Sequence, residues 1–577
     1  MSVFGKIPML WGHLSKIRRV QFFLILIMML FASVAEIFSL GAVIPFLAAL
    51  TSPELLFNDS RAQPLIIFFG IKEPNELILP ITIVFIAGAL LAGILRILLL
   101  VIMTKFSFST GADLSIEIYR RTLYKPYTFH LDNNSSEVIN GIMTKTNTVI
   151  GGIITPTLNS ISSIILLCSI LLTLLIISPF MTLSAFSIFF LLYSTIFFFM
   201  KFRLESNGHI IAKETTNMFR SLREGLGAIR EVIIFGSQEF YAQYYRKADL
   251  KFREASAVNV IITSSPRFAM EAVGMSVIAI LAFVLFNKGN GNVVPLLGAL
   301  ALGSQRMLPV LQLLYSSYST ISGSDASFQD VLNLLGSPHD HKTAVISGSL
   351  PFEKQISLVG VSYRYKENLP YIFKDVNLTI KKGSKVGFIG ETGCGKSTLL
   401  DIMMGLLKPS EGHIYVDDQK ISSENYQQWH QNIANVPQSI FLADTTIREN
   451  IALGVPEEEI DDRRVEKVAK QARIYDTIVK SDKQYDTFVG EAGVRLSGGQ
   501  KQRIGIARAL FKKRKLIIFD EATSALDDET EKNVMEELNA LDDDLTILLI
   551  AHRVSTLSGC DHVYQLSQGS LKEVKDF

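Results

Sequence analysis

A glycine-rich stretch with one lysine and two hydroxyl residues carries the clearest chemistry in the sequence. GETGCGKST follows the apolar run KVGFI and precedes the apolar pattern LLDIMMGLL, so it lies where a buried strand turns into a helix. In this context Lys396 is expected to reach the terminal phosphates and Ser397 to hold magnesium, and Thr398 is a further candidate for ATP binding. The glycines let the backbone turn tightly and direct N–H groups at phosphate oxygens; they are Gly390, Gly393 and Gly395. The stretch therefore predicts a phosphate-binding loop.

Two later stretches hold groups suited to nucleotide hydrolysis. In KLIIFDE four apolar residues predict a buried parallel strand, Asp520 at its end can bind magnesium through water, and Glu521 can polarise an attacking water. LSGGQ predicts a helix start whose N–H groups and hydroxyl bind anions, so that in a head-to-tail dimer it can close over the partner's nucleotide. Its residues are Ser497, Gly498, Gly499 and Gln500.

Four further positions fit the same site by their order and spacing. Tyr365 precedes the loop by about 25 residues, where its ring can stack on a purine or serve as a core tyrosine of an edge strand. Gln438 follows a strand and a proline and can touch magnesium. Asp527 lies in SALD, and His552 follows the buried run TILLI within reach of a γ-phosphate.

Composition divides the 577 residues into an apolar half and a half typical of soluble α/β proteins. We expect six membrane spans, at about 20–49, 77–103, 149–177, 181–201, 262–286 and 293–316. The net charge of +1 favours neither a nucleic-acid binder nor an acidic-ligand protein. The three cysteines show no metal-ligand spacing, so no zinc site or disulfide framework is expected.

The loops between the expected spans are unequal. Basic, helically spaced segments follow the second and fourth spans, which predicts long cytoplasmic extensions with short turns at their tips. Lys16, Arg18 and Arg19 place the amino end in the cytoplasm by the positive-inside rule. The piece LIIFFG in the first outer loop is either a short helix on the outer membrane surface, or a packed loop or extended end of the first span.

Ionisable residues interrupt the apolar spans. Arg96, Arg267 and Arg306 fall in spans two, five and six, while Glu36 lies in span one and Glu271 beside Arg267. A charge near mid-bilayer costs several kcal/mol, so these side chains should face protein or a water-filled cavity. Two interpretations remain open: structural pairing of the arginines with the two glutamates, or a cavity that accepts an anionic head group.

In these motifs and their order, the chain resembles the ATP-binding cassette transporters, in the half-size exporter arrangement. The resemblance implies a membrane α-helical domain of six transmembrane helices over residues 1–335, followed by an α/β P-loop nucleotide-binding domain over residues 350–577. It also implies ATP and Mg²⁺ as cofactors, with ATP hydrolysis coupled to transport. GETGCGKS matches the Walker A loop, LSGGQ the signature and LIIFDE the Walker B motif with its catalytic glutamate.

The same resemblance implies roles for individual residues. Tyr365 becomes the adenine-stacking aromatic, Gln438 the Q-loop glutamine that joins Ser397 and Asp520 at magnesium, and His552 the switch histidine. Asp527 falls in the D-loop. VGEAG, with Glu491, matches the exporter loop that meets the cytoplasmic tips of the membrane domain. Because every motif matches the active pattern, both sites of a homodimer should hydrolyse ATP.

Within that family the chain is most similar to the PglK-type flippases of lipid-linked oligosaccharides. The similarity rests on ETGCGKSTL, SSPRFAMEAVG, the ending DHVYQLSQGSLKE and the three arginines. It implies a bacterial inner-membrane protein, with a cytoplasmic nucleotide-binding domain, that moves a polyprenyl-pyrophosphate glycan. The alternative is a multidrug, lipid A or peptide exporter on the same scaffold. A soluble DNA-repair or translation ATPase is excluded by the six apolar spans.

Cys394 lies between two glycines at the start of the helix after the loop. A thiol at a helix N-terminus near Lys396 is expected to react with alkylating agents. Because the same loop is expected to hold the phosphates, ATP should protect it.

Overall fold

The computed structural model describes residues 3–51, 53–58, 63, 66–67, 70–177, 179–287, 293–336, 348–523, 526–539, 544–551 and 557–574. Two compact units divide the chain. One comprises Met1–Lys125 with Phe129–Lys342, and the other Pro126–Thr128 with Thr343–Phe577. The described part of the first unit is helical, and the strands among the described residues belong to the second.

Long helices dominate the first unit. In chain order the helices up to residue 335 are α1 (Val3–His13), α2 (Lys16–Gly41), α3 (Val43–Thr51), α4 (Pro53–Phe57), α5 (Ile78–Leu123), α6 (Tyr127–Asp132), α7 (Ser135–Asn140), α8 (Thr146–Val149), α9 (Thr155–Ile177), α10 (Pro179–Gly227), α11 (Ile229–Ile234), α12 (Gln238–Asn287), α13 (Val293–Gly323) and α14 (Asp325–Leu335). A 3₁₀ turn at Pro74–Leu77 precedes α5, and π-helical turns at Gly141–Lys145 and Ile150–Ile154 lead into α9. The sequence pattern did not predict these π turns.

Each expected span coincides with long helical structure. Among the described residues, four stretches are long and apolar enough to cross a membrane: Lys16–Thr51, Pro74–Leu123, Ser136–Ile176 and Phe186–Gly227. The fifth and sixth expected spans fall in α12 and α13. Half of the piece LIIFFG, residues 65, 68 and 69, lies outside the described residues.

Two helices greatly exceed a bilayer in length. α10 has 49 residues and α12 has 50. At 1.5 Å per residue each runs about 75 Å, against about 30 Å for a hydrocarbon core. Their polar halves are therefore the long extensions that the sequence predicts, and the turn between them, around α11, is one of the predicted tips.

The second unit is built on two sheets. Its strands are β1 (Gln355–Tyr363), β2 (Phe373–Lys381), β3 (Lys385–Ile389), β4 (Glu411–Val416), β5 (Gln419–Lys420), β6 (Ile433–Val436), β7 (Leu516–Asp520), β8 (Thr546–Ile550), β9 (His562–Ser567) and β10 (Ser570–Glu573). Its helices are α15 (Lys396–Met403), α16 (Tyr426–His430), α17 (Ile447–Ile451), α18 (Asp462–Gln471), α19 (Tyr475–Val479), α20 (Gly498–Phe511) and α21 (Asp528–Asn539). Short 3₁₀ turns lie at Glu457–Glu459, Gln484–Asp486 and Glu491–Gly493.

The larger sheet is mainly parallel, as the apolar runs predict. Its strand order is β10-β9-β3-β8-β7-β6, with parallel pairing from β9 to β6 and an antiparallel β10 at the edge. In β7, Ile517 and Phe519 enter one hydrophobic cluster while Leu516 and Ile518 enter the other. A strand buried on both faces needs an unbroken apolar run, which is why LIIF precedes Asp520. The smaller antiparallel sheet has the order β2-β1-β4-β5.

A close backbone approach in the first unit gives a stability prediction. A Cβ at Gly208 of α10 would lie 2.4 Å from the carbonyl oxygen of Gly323 at the end of α13, whereas one at Gly93 of α5 has open space. Since backbone cannot yield as a side chain can, we expect Gly208→Ala to lower the free energy of unfolding by about 1–3 kcal/mol. Gly93→Ala is the matched control and should be neutral. The melting temperatures of the two detergent-solubilised variants provide the measurement, and equal values would contradict this account.

Candidate functional site

The glycine-rich loop lies at the carboxyl edge of the parallel sheet, between β3 and α15. Gly390 and Gly395 have φ of 151° and 104°. A Cβ at Gly390 would approach the carbonyl oxygen of Leu566 to 2.4 Å, and one at Gly395 would approach Ile372 to the same distance. Only glycine fits at both positions, so the loop can bring its backbone against a ligand in the way a phosphate cradle requires.

Lys396 and Thr398 are fixed on the first turn of α15. The Lys396 side chain is 6% exposed, and its ammonium donates to the carbonyl oxygens of Gly390 and Glu391 at 2.7 and 2.9 Å. It therefore arches back over the loop. The hydroxyls of Thr398 and Tyr365 are 3.1 Å apart, which places the half-exposed Tyr365 ring beside the phosphate loop. An aromatic face at that place is available to a base.

The groups predicted to hold metal and water converge at the ends of β7 and β6. Ser397 Oγ donates to Asp520 Oδ1 at 3.1 Å, and Gln438 Nε2 donates to Glu521 Oε2 at 2.6 Å. The amide of Glu521 donates to Ile550 at the end of β8 at 3.2 Å. Hydroxyl, amide and carboxylate oxygens form the ligand set that Mg²⁺ prefers, so the donor chemistry fits the predicted magnesium site.

Glu521 is held in an uncommon backbone conformation. Its φ is 50°, in the left-handed region that is rare for residues with a side chain. Such strain of roughly 1–3 kcal/mol persists where surrounding structure fixes it and is concentrated at functional sites. The sequence predicted the side chain but not this turn, because nothing in FDEAT marks a positive φ.

Burial shapes the electrostatics of the site. It raises the pKa of Asp520, against the opposing effects of the Ser397 hydroxyl and the Lys396 ammonium. Burial, with help from the negative charge of Asp520, also raises the pKa of Asp401 to about 6. The sequence analysis missed Asp401. The available signal was its spacing, since it follows Ser397 by four residues on α15 and so shares its helix face.

The LSGGQ segment begins α20 as predicted. Ser497 is the N-cap: its hydroxyl accepts from the amide of Gln500 at 3.3 Å, and the Gln500 side chain accepts from the Ser497 amide at 2.9 Å. Ser497 and Gly498 are exposed to solvent. Within one chain, no hydrogen bond between described residues joins this segment to residues 390–398. Its predicted partner is the nucleotide of a second subunit.

Of three other predicted residues, two are exposed and one lies outside the described residues. Asp527 is exposed and accepts from the amide of Thr530 at 3.0 Å, and that amide lowers the pKa of Asp527. Glu491 is exposed in a 3₁₀ turn between two residues with positive φ, Gly490 and Ala492. His552 lies outside the described residues, two positions beyond the end of β8.

Two of the three predicted arginines share one buried carboxylate. Glu36 of α2 is fully buried; Arg96 Nη2 of α5 lies 2.7 Å from its Oε2, and Arg306 Nη1 of α13 donates to its Oε1. Arg306 also donates to Ser39 Oγ at 3.4 Å. This is the structural pairing that the sequence left as one of two alternatives. One negative charge between two guanidinium groups still leaves a positive surplus.

Arg267 lies elsewhere. Its Nε donates to Glu271 Oε1 at 2.9 Å, one helical turn along α12, and both side chains are exposed to a cavity of about 880 Å³. Tyr193 and Gln312 line the same cavity and are hydrogen-bonded to each other at 3.3 Å. Methionine, leucine and proline side chains form most of the rest of its wall: Met270, Met275, Leu308, Pro309 and Leu313. Gly274, Gln305 and Ser316 complete the described lining. Among the described residues, the lining of this cavity thus includes Arg267 but not Arg96 or Arg306.

Models of known protein families match both units of the chain. The family model described as ABC transporter matches residues 373–524, and that described as ABC transporter transmembrane region matches residues 20–305. The first match supports ATP binding and hydrolysis, and the second identifies a multi-pass membrane protein. Together the two matches cover most of the chain.

Individual relatives are similar over parts of their length. The chain is 33% identical to an ATP-dependent lipid A-core flippase of Chromohalobacter salexigens, over 61% of this chain and 60% of that protein. It is 36% identical to the leukotoxin translocation ATP-binding protein LktB of Mannheimia glucosida, over 50% of this chain and 40% of that protein. The chain thus spans less than two thirds of either curated relative.

The fold also matches a solved structure, that of a bacterial Atm1-family ABC exporter with ATP bound. The TM-score is 0.76 at 22% identity, over 96% of this chain and 94% of the other. At this identity the match concerns the fold alone. It agrees with the predicted fold class, an exporter-type helical membrane domain followed by a nucleotide-binding domain.

The two cysteines of the second unit should differ in reactivity. Cys394 lies half-buried in the phosphate loop, whereas burial raises the pKa of Cys560 to about 12. Since the thiolate is the reactive form, we expect N-ethylmaleimide at neutral pH to label Cys394 and spare Cys560, and Mg-ATP to slow the labelling. Peptide mass spectrometry measures both sites, with Cys394→Ser as the control. Equal labelling of the two, or no effect of ATP, would contradict this assignment.

Proposed function

Because the chain belongs to the ATP-binding cassette transporters, exporter type, we propose that it moves an amphipathic, anionic lipid-linked oligosaccharide across a membrane at the expense of ATP. The observation that carries the substrate proposal is the cavity beside Arg267, which combines a cationic group with an apolar wall. A polyprenyl-pyrophosphate glycan needs such a combination. Its anionic group must be sheltered from hydrocarbon while its tail remains in lipid.

The ATP chemistry is assigned to the edge of the parallel sheet. Lys396 and the loop amides bind the β- and γ-phosphates, and Tyr365 stacks on adenine. A magnesium ion held by Ser397, Asp520 and Gln438 would neutralise phosphate charge. Glu521, oriented by its bond from Gln438, accepts a proton from the attacking water, and His552 would contact the γ-phosphate.

We propose that the working unit is a homodimer. The exposed amino end of α20, with Ser497 and Gly499, offers amide and hydroxyl donors that the chain itself does not direct at residues 390–398. A second copy can supply each phosphate loop with this anion-binding end. Asp527 would lie near the dimer contact, and Glu491 would couple nucleotide-driven closure to the membrane unit.

The arginine arrangement narrows the proposed role of each side chain. Arg96 and Arg306 are committed to Glu36, so their first role is to tie α2, α5 and α13 together at a buried charge. Arg267 carries the proposed contact with substrate phosphate, because its partner Glu271 is also exposed and can release it. The proposed location is the bacterial inner membrane, with the nucleotide-binding unit in the cytoplasm.

A second candidate is the flipping of lipid A-core, the activity in the name of one relative. That relative's named substrate is also an amphipathic glycolipid, so the same cavity chemistry serves both. Direct competition between the two lipids in the transport assay would separate them. A drug exporter on this scaffold would instead favour an aromatic and apolar cavity.

The ATP-driven step is tested with Glu521→Gln. Loss of the proposed base should lower kcat for ATP hydrolysis at least about 100-fold, with little change in ATP affinity because Lys396 and the loop remain. Reconstituted protein should then bind ATP without transporting lipid. If Glu521→Gln hydrolysed ATP at the wild-type rate, the role of Glu521 would be wrong while the family assignment would stand.

The substrate proposal is tested with a matched pair on α12. Arg267→Gln and Glu271→Gln break the same ion pair but change the net charge in opposite directions. We expect Arg267→Gln to lower flipping of a polyprenyl-pyrophosphate oligosaccharide in vesicles about tenfold or more, while basal ATPase activity persists. Glu271→Gln should retain flipping. Equal effects of both changes would assign the pair a structural role, and absence of flipping by the wild type would exclude this substrate.

A further inference from the structure

A basic cavity of about 580 Å³ lies in the second unit, at the edge of the sheet opposite the nucleotide site. It lies between α18, the end of α20 and the amino ends of β7 and β8. Its apolar floor is formed by Val468, Ala509 and Ile517, each at most 3% exposed. Five basic side chains also line it: Arg464, Lys467, Lys513, Arg514 and Lys515. Gln471, Leu510, Asp544 and Leu545 complete the described lining.

The charge in this cavity is poorly neutralised. Among the described residues, five cationic side chains and one carboxylate, that of Asp544, line it. Lys515 pairs with Glu353 at 2.8 Å, and Asp544 is 3.4 Å from Lys382 outside the cavity. In the part of the chain that the structure describes, the remaining four cations have no carboxylate within 4.0 Å.

Hydrogen bonds to helix-end carbonyl groups orient two of these cations without neutralising their charge: Arg464 donates to Leu510 at the end of α20, and Arg514 donates to Gln431 directly after α16. Positive side chains at the carboxyl end of α20 can satisfy its carbonyl groups and dipole. Arg508 and Lys512 bind carbonyl groups at the end of a neighbouring helix, α17. They donate to the carbonyl oxygens of Asn450 and Leu453 at 2.9 and 2.6 Å. Burial and the neighbouring charges of Arg514 and Arg508 lower the pKa of Lys512, so the local positive potential is already high.

The orientation of the Arg464 guanidinium favours an anionic ligand in this cavity. Its guanidinium stacks on the Phe511 ring at 4.8 Å, donates to the carbonyl oxygen of Leu510 at 3.4 Å, and leaves Nε buried without a hydrogen-bond partner among the described atoms. A guanidinium oriented by stacking is suited to phosphate oxygens. Lys467 and Lys513 lie on the exposed rim.

We propose that this cavity is a second anion site, which takes a small polyphosphate between α18 and the turn at residues 512–515. Four cations without a carboxylate partner among the described residues match the charge of two or three linked phosphate groups, whereas a single phosphate would leave most of them unpaired. The site is distinct from the nucleotide cradle at residues 390–398, which lies at the opposite ends of the strands. The bound anion would contact the turn that joins α20 to β7.

The test uses tripolyphosphate as probe and full-length detergent-solubilised protein in a Lys396→Ala background, which disables the nucleotide cradle. Calorimetry should show saturable binding. Adding Lys467→Ala and Lys513→Ala should weaken it at least about tenfold, because two charge-assisted contacts are lost. Lys480→Ala with Lys483→Ala is the matched control, since it removes two exposed lysines elsewhere on the same unit, and it should leave affinity within about twofold.

Four results would overturn the proposal. They are no saturable binding once Lys396 is replaced, an equal loss in the control pair, unchanged binding in the cavity pair, and displacement of the probe by lower concentrations of a short-chain phosphatidylglycerol. The last result would assign the cavity to a lipid head group. Neither lysine pair makes an ion pair or side-chain hydrogen bond among the described residues. When each pair is replaced in the chain that retains Lys396, the melting temperature and basal ATPase activity should therefore equal those of the wild type.

Discussion

The pairing of β7 between β8 and β6 is the constraint on which the nucleotide-binding unit depends. Parallel pairing brings the carboxyl ends of neighbouring strands to one edge, and Asp520 lies there directly opposite Ile550. The hydrogen bond from Ser397 to Asp520 then joins the start of α15 to this edge. Because the strands are buried on both faces, a shift in register would carry Asp520 into the core or withdraw it from Ser397.

A different constraint acts in the membrane unit, where a buried charge must be neutralised locally. Glu36 is fully buried and contacts both Arg96 and Arg306, so three helices remote in sequence are held at one point. Removing one member of such a group leaves an uncompensated charge, which typically costs about 3–5 kcal/mol. This makes the triad a poor candidate for a group that must move with each transport cycle. The pair of Arg267 and Glu271, whose side chains are exposed, is a better candidate for a group that changes partners during transport.

The accuracy of the sequence predictions follows the range of the interactions concerned. The phosphate loop, the strand before Asp520 and the helix that begins after Ser497 are encoded by contiguous residues, and local patterns predicted them. Glu36 and Arg306 are separated by 270 positions, so their pairing depends on packing that one sequence does not specify. The φ of Glu521 and the π turns before α9 are also imposed by surroundings rather than by residue type.

The turn at residues 512–515 joins two elements whose far ends lie in the proposed reaction site. α20 begins at the LSGGQ segment and, with 14 residues, runs about 21 Å to the basic cavity. β7 begins at Leu516 and ends at Asp520. Both elements are packed in one hydrophobic cluster, so neither bends freely. An anion bound at the proposed site would therefore contact the chain segment that links the helix proposed to meet a partner's nucleotide to the strand that ends in the proposed magnesium ligand, Asp520.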